Sequence, residues 1–323
     1  MSRQSELAEL SRVYDSSALS NRNLIINGAM QVAQRGTSFT GSGEYTLDRF
    51  YQLESGATAT TTQETFALGS ELEGFTKYLK QAVTTGNDYC GIIHKVEDVK
   101  SLPQGKATLS FYAKGTNPAG GSFQVVVLRM HDGSTVHDTI LDTTVTLTSS
   151  WQRFTKTFDV GSLAGMTTPT ANSLIYIAIR QSQSDSGTAA WELNLTGMQL
   201  ELGTEATPFE HRSFGQELAL CYRYFYKVEK SGYIIGRGNG TTAITDLRIP
   251  CPVALRAQPS FDATGTSYAM DADSYVSASN VGFAHQNTSG ASVNGQITGL
   301  SSMTDNRICA VSLAAGYSLD AEL

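Results

Sequence analysis

Residues 191–226, WELNLTGMQLELGTEATPFEHRSFGQELALCYRYFY, constrain the chain more than any other stretch. The first half alternates at period two, with Trp191, Leu193 and Leu195 on one face and Glu192, Asn194 and Thr196 on the other, the pattern of a half-buried strand. Past Gly197 the apolar positions become Met198, Leu200 and Leu202, a slip of one residue. One extra residue re-aims every side chain that follows it, so a β-bulge is expected at Thr196–Gly197. Pro208 then breaks the pattern, and Ser213 with Gln216 fits a capping box at the start of a helix. Phe214, Leu218, Cys221, Tyr222 and Phe225 recur at helical spacing and form the expected interdomain packing stripe of that helix. A β-domain therefore closes near Arg212, and a helix leads the chain into a second region.

Upstream, residues 22–212 read as strands separated by turns. Leu24, Ile25 and Ile26 run into an Asn27-Gly28 turn signal. YTLDRFYQLE (45–54) is a second, aromatic-rich strand, FTKYLKQAVTTGNDY is read as its continuation, and GIIHKVEDV follows Cys90. ATLSFYAKG alternates Leu109, Phe111 and Ala113 with Thr108, Ser110 and Tyr112, a half-buried strand. FQVVVLRM is apolar on both faces at its centre, and a His131-Asp132-Gly133 turn leads on to TILDTTVTL and WQRFTKTFDV. In the latter Phe154, Phe158 and Val160 share a face, Lys156 being the exception; LIYIAIR then repeats Ile175, Ile177 and Ile179. Trp151 and Trp191 begin strands and are read as core anchors. Roughly eight to ten strands with frequent turn signals indicate an antiparallel β-sandwich or jelly roll. No helical pattern separates them, which excludes a doubly wound fold.

Residues 213–323 read as the linker helix followed by a smaller, Gly-rich β-domain. SGYIIGRGNGTTAITDLRIP is a hairpin about Gly238-Asn239-Gly240, Pro250 and Pro252 place the Cys251 segment at an edge or a crossing, and ICAVSLAAGYSLDAEL supplies two closing strands. Between them the text is thin in large apolar residues. Such a region buries little area alone, so contact between copies of the chain is the expected remedy. Residues 1–21 stand apart, with Leu7, Leu10 and Tyr14 on one helical stripe. A helix this short is marginal in water; it packs on its own domain or frays, or it is an anchoring arm.

Two sequence blocks carry a resemblance. LTGMQLELGTEATPFEHRSFGQELALCYRYFY resembles the hinge of bacteriophage tail-fibre and related virion proteins, in which a jelly-roll domain ends in a "QLE-G-ATPFE-R" strand and an "ELALCqRYY" helix follows. NLIINGAMQVAQRGTSFT with YTLDRF is similar to the opening of the same domain, and the terminal LDAEL to the family's last residues. Tyr222 departs from the pattern, where the family more often has Gln, and residues 52–190 match in style alone. The resemblance implies a tail fibre of a tailed phage, a homotrimer, an arm at residues 1–21 bound to other tail proteins, and contact with host surface glycans. It implies synthesis in the host bacterial cytoplasm and residence in the virion. A head fibre or head decoration, a stand-alone carbohydrate-binding protein and a glycan depolymerase remain the alternatives.

Chemistry is sparse. A net charge of -7 without a Lys/Arg cluster argues against nucleic-acid binding. The N-terminus has no apolar core of a signal peptide, and no apolar run approaches ~18 residues, so no membrane insertion is expected. Cys90, Cys221, Cys251 and Cys309 are scattered, without metal-site spacing, and read as buried free thiols. Gly236-Arg237-Gly238-Asn239-Gly240 lacks the Lys-Ser/Thr of a phosphate loop and reads as a turn. His131-Asp132 and His137-Asp138 read as surface turn residues, and Asp271, Asp273 and Ser274 lack the Gly and Glu of a calcium loop. Neither cofactor nor metal is expected. Glu44 with Asp48, and Glu71 with Glu73, are carboxylate pairs of the type glycosidases use, but no repeat or hydrolase motif accompanies them and no enzyme activity is expected. The remaining functional clue is aromatic: Tyr51, Tyr78, Tyr89, Tyr233, Tyr268 and Tyr275 lie in polar, turn-rich text where rings could stack on sugars, without a binding site being assignable.

Overall fold

A computed structural model describes residues 22–323 except 70–71, 73, 86–88, 132–135, 165, 167–172, 182–188, 230–232, 241, 263–266, 272–273, 279–281, 290–291, 299, 301–303, 306 and 314–315. For 85, 136, 233, 267–271, 274–278, 282–289 and 313 it describes the backbone alone. Leu7, Leu10 and Tyr14 thus lie outside the described residues. The chain forms two compact units, one reaching Glu217 and including Leu323, the other Leu218–Glu322.

The first unit contains β1 (Ser38–Phe39), β2 (Glu44–Tyr45), β3 (Phe50–Ser55), β4 (Thr58–Thr65), β5 (Lys77–Thr85), β6 (Tyr89–Glu97), β7 (Lys106–Thr116), β8 (Phe123–His131), β9 (Val136–Val145), β10 (Gln152–Asp159), β11 (Leu174–Arg180) and β12 (Trp191–Leu202). They make two antiparallel six-stranded sheets in the orders β1-β4-β5-β12-β7-β10 and β2-β3-β6-β11-β8-β9. Between the sheets lies a core built from alternate residues of nearly every strand, including Phe50, Leu79, Phe111, Phe123, Ile177 and Trp191. This is the all-β jelly-roll sandwich that the period-two text implies.

The bulge falls where the phase slip places it. The register of β12 against β7 shifts between Thr196 and Gln199, and Gly197 takes φ 60, a left-handed conformation that costs glycine nothing. The slip keeps Trp191, Leu193 and Leu195, then Met198 and Leu200, in the core. Leu202 breaks the pattern: at the end of the strand it is exposed.

Other expectations need correction. Residues 45–54 form two strands, because Asp48 is buried and Arg49 takes φ 71, turning the chain back between β2 and β3. Leu24–Ile26 is not a strand, although the Leu24 amide bonds the Leu200 carbonyl at 2.9 Å. Lys77–Thr85 pairs with β4, a threonine-rich strand that apolar alternation could not reveal. Ala59 and Thr61 are its inward residues, and the Thr61 hydroxyl bonds Gln52 instead of packing as a hydrocarbon. β7 is covered on both faces, Thr108 and Ser110 being as buried as Leu109 and Phe111. The return segment after β12 explains this: Arg153 bridges the Ser110 hydroxyl and the Thr207 carbonyl.

A buried polar clasp closes the first unit. Asn23 donates to the Met198 carbonyl at 3.0 Å and accepts from the amides of Ile25 and Leu200, while its own amide donates to Glu210 at 2.8 Å. Asn27, at φ 61, donates its side-chain amide to the carbonyls of Val32 and Asp48. The Arg212 guanidinium takes the carbonyls of Asn23 and Ile25 and lies 3.4 Å from both Glu210 and Glu217. The two blocks that resemble phage fibres therefore meet in space, and their polar residues satisfy one another's backbone.

The helix α1 (Phe214–Tyr222) starts as its sequence dictates: the Ser213 amide donates to the Gln216 side chain at 3.0 Å, and the Gln216 amide to the Ser213 hydroxyl at 3.3 Å. Cys221 is buried and Leu218 and Tyr222 are half-buried, but Phe214 is 55% exposed. Phe225 is not helical. A turn closed by the Tyr224 amide on the Cys221 carbonyl ends α1, and Phe225 opens a strand.

The second unit contains β13 (Phe225–Val228), β14 (Tyr233–Asn239), β15 (Ala243–Pro250), β16 (Ser260–Asp262), β17 (Ser267–Asp271), β18 (Ser274–Ala278), β19 (Gly282–Ser289), β20 (Ser292–Thr298), β21 (Ile308–Leu313) and β22 (Tyr317–Asp320). A three-stranded sheet, β13-β22-β16, accompanies a seven-stranded one, β18-β17-β21-β14-β15-β20-β19. The hairpin pairs Asn239 with Ala243, and the Gly240 amide is taken by the Asp305 carboxylate at 2.9 Å; the turn begins at Gly240, whereas Gly236–Asn239 are strand residues of β14 and not the turn that the glycine run suggests. Its small core centres on Ile244, Leu247, Ile249, Val311 and Leu319.

Candidate functional site

The two outer faces of the sandwich differ. On the first sheet, Phe75, Tyr112, Phe209 and His211 pack ring against ring, and Phe66, Tyr78 and Trp151 form a second group. Trp151 is thus not a core anchor: it lies half-buried in this outer cluster, with the Lys114 ammonium 5.3 Å from its ring centre. Trp191 is the core tryptophan, 2% exposed, its indole N–H held by Gln181 at 2.8 Å. The chain's own aromatics therefore plug this face.

The outer face of the second sheet carries a different set of side chains. Register sets Tyr51, Ile93, Ala178, Val126 and Asp142 side by side across β3, β6, β11, β8 and β9. The adjacent row is Leu53, Gly91, Arg180, Gln124 and Thr144, and beyond it on the other side Lys95, Tyr176 and Leu128. Ile93, Val126 and Ala178 are a shallow apolar floor beneath half-buried Tyr51, Leu53, Leu128 and Tyr176. The core side chains of these strands point the other way, so period-two alternation alone delivers this second set.

Two tyrosines define the surface. The hydroxyls of Tyr89 and Tyr176 are 3.4 Å apart, yet Tyr176 pairs with Lys95, six residues along β6 from Tyr89, or about 20 Å of extended strand. Both rings must therefore lie along the strands, over a face that is concave between them. Burial, then the Tyr89 hydroxyl, pushes the Tyr176 phenol above its ordinary range, so it stays protonated. Gly91 makes room: a Cβ there would sit 2.4 Å from the Cβ of Arg180. The Arg180 guanidinium lies 4.4 Å from the Tyr89 ring centre, its Nε donates to the Gln124 side-chain oxygen at 3.0 Å, and the Gln124 amide donates to Asp142 at 2.8 Å. The face thus offers flat aromatic surface beside a fixed line of guanidinium, amide and carboxylate, which suits stacking on sugar rings and bonding to their hydroxyls.

Of the tyrosines singled out from sequence, Tyr51 and Tyr89 stand on this face, and Tyr78 lies in the plugged cluster of the other sheet. The side chains of Tyr233, Tyr268 and Tyr275, and of Asp271, Asp273 and Ser274, lie outside the described residues, as do Asp132, Glu71 and Glu73. Tyr176, Arg180 and Gln124 escaped sequence reading because they alternate with core residues. Tyr45 and Tyr51 meet edge-to-face at one end, with Lys95 over both rings and the Leu323 carbonyl taken by Tyr45 and Lys95. Glu44 and Asp48 are engaged by different partners. Glu44 accepts from the Gly41 amide, whereas Asp48 is buried and occupied by Gln34. His131 and Asp138 do approach, at 3.7 Å, with Arg129 on the same carboxylate at 3.4 Å. Among the described residues no three His, Cys, Asp or Glu side chains are grouped to hold a metal.

No family model matches the chain, and no curated protein matches it. Solved structures do resemble it. One is the N-terminal cellulose-binding domain of a Cellulomonas fimi β-1,4-glucanase (18% identity, 53% of this chain and 97% of that one, TM-score 0.34). A second is the family 11 carbohydrate-binding module of a Clostridium thermocellum cellulosomal cellulase (13%, 55% and 99%, 0.34). A third is the enzymatically active domain of bacteriophage CBA120 tailspike protein 4 (14%, 56% and 21%, 0.36). At these identities and scores the ligands of those proteins do not transfer with the likeness.

Proposed function

We propose that the chain is a non-catalytic adhesion component of a phage virion, a tail fibre whose first unit holds host-surface glycans on the outer face of its second sheet. The observation that supports it most is the Tyr89–Arg180–Gln124–Asp142 line beside Tyr176, in which each polar group is oriented by its neighbour before any ligand arrives. The resemblance of the Asn23 and Glu210 blocks to virion fibres supports the setting. In this reading residues 1–21 attach the protein to other tail proteins, and three copies associate so that many weak sugar contacts add by avidity.

The test is a glycan array probed with the full-length protein and with a Tyr89→Ala/Tyr176→Ala variant. Binding to at least one glycan, weakened ~10-fold or more in the variant, is expected, since each lost stack is worth about a kcal/mol. Binding that the variant retains would move the site elsewhere; no binding at all would remove the adhesion reading. For the virion setting, deleting residues 1–21 is expected to abolish incorporation into particles while glycan binding persists, and light scattering is expected to give three times the chain mass.

A further inference from the structure

We infer that the glycan taken by this face is acidic, with a sugar carboxylate seated on Arg180; the inference rests on the glycan-binding reading above. Arg180 stands on β11, with three strands of the sheet on one side of it and two on the other. Its Nε is committed to Gln124 and its plane is packed against Tyr89, 4.4 Å from the ring centre. Its two Nη groups make no hydrogen bond among the described residues, and no carboxylate there forms an ion pair with it. Asp142, the acid nearest in the line, is satisfied by the Gln124 amide.

The orientation of Gln124 is fixed by that arrangement, because its oxygen must face the guanidinium and its nitrogen the carboxylate. Arg180 is therefore a half-buried cation, held rigid, whose free edge is a two-pronged donor. Such a fork matches a carboxylate bidentately. A neutral sugar would leave the charge without a counter-charge in a partly desolvated setting, whereas an acidic one neutralises it. Gly91, at the adjacent position of the same row, lets the Arg180 stem lie close against β6, since a Cβ there would sit 2.4 Å from the Arg180 Cβ.

The experiment uses the full chain with oligogalacturonate and α2,8-linked oligosialic acid, each beside its carboxyl-reduced counterpart, and a neutral glycan array in parallel. At least one acidic probe is expected to bind, losing ~10-fold or more on carboxyl reduction, the range of a charge-assisted hydrogen-bond pair. Arg180→Gln is expected to lose at least the same factor on the acidic probe and distinctly less on the reduced one. Arg180→Lys, which keeps the charge without the fork, is expected to fall between. Equal affinity for acidic and reduced probes, or an Arg180→Gln variant that still binds the acid, overturns the inference, as does binding confined to neutral glycans, which leaves the adhesion reading standing. Silence across every glycan sinks both. Should Arg180→Gln misfold, judged by its circular dichroism, the acidic-against-reduced comparison on the unmodified chain decides.

Discussion

The backbone amide of Asn27 donates to the Glu217 carboxylate at 2.6 Å, across 190 residues of sequence. Glu217 also faces Arg212 at 3.4 Å, and both side chains are more than nine-tenths buried. Removing the carboxylate leaves a buried guanidinium and a buried amide without it. Glu217→Ala is therefore expected to destabilise the first unit by about 3–5 kcal/mol, and Glu217→Gln, which keeps an acceptor, by less. Urea unfolding followed by tryptophan fluorescence checks this, because both tryptophans, Trp151 and Trp191, belong to that unit.

Gly197→Ala adds a methyl group at φ 60, 2.8 Å from the rings of Phe75 and Tyr112. Backbone strain of about 1–2 kcal/mol and displacement of two packed rings act together. A clear drop in the melting temperature is expected; a neutral result would mean that the bulge is not fixed at this residue.

His94 is held neutral in the core. Burial, then the Arg49 charge, lowers its pKa to about 3, while its hydrogen bond to the Ile26 carbonyl at 3.1 Å works the other way. Unfolded chains take up this proton below about pH 6.5; the folded unit does not until about 3. Acidification across that window consequently favours unfolding. Compared with His94→Gln, the unmodified protein is expected to lose up to about 1.4 kcal/mol more per pH unit between those values, measured by urea midpoints at stepped pH.

All four cysteines are free and buried. Burial, then the Glu54 charge, pushes the Cys90 thiol up to about 12, far from the thiolate that reacts. Ellman's reagent is expected to find no fast-reacting thiol in the native protein and four after denaturation. Rapid native labelling would show that a unit opens locally.

The sandwich was legible because its strands alternate cleanly: the Ile175–Ile179 series and the Trp191 strand with its slip went where their patterns point. β4 was illegible because Thr58–Thr65 joins its sheet through β-branched polar residues that carry no hydrophobic period. The candidate face was half legible. Tyr51 and Tyr89 stand out in polar text, but their meeting with Tyr176, Arg180 and Gln124 depends on the order β3-β6-β11-β8-β9, which no local pattern encodes. Phe225 deceived for a different reason: helical spacing persists for one position past the turn that ends α1.

The clasp also sets a timetable for synthesis. On the ribosome, Asn23 and Asn27 emerge before Met198, Leu200, Glu210, Arg212 and Glu217, an interval of about ten to forty seconds at elongation rates of about 5–20 residues per second. Until β12 clears the exit tunnel, the first sheet lacks the strand that joins β5 to β7, so the two halves of that sheet stay unjoined. The first unit therefore becomes a folded body almost all at once, when its last twenty residues appear. A nascent chain stalled before Arg212 has no stable form to settle into, which makes incomplete products easy prey for proteases.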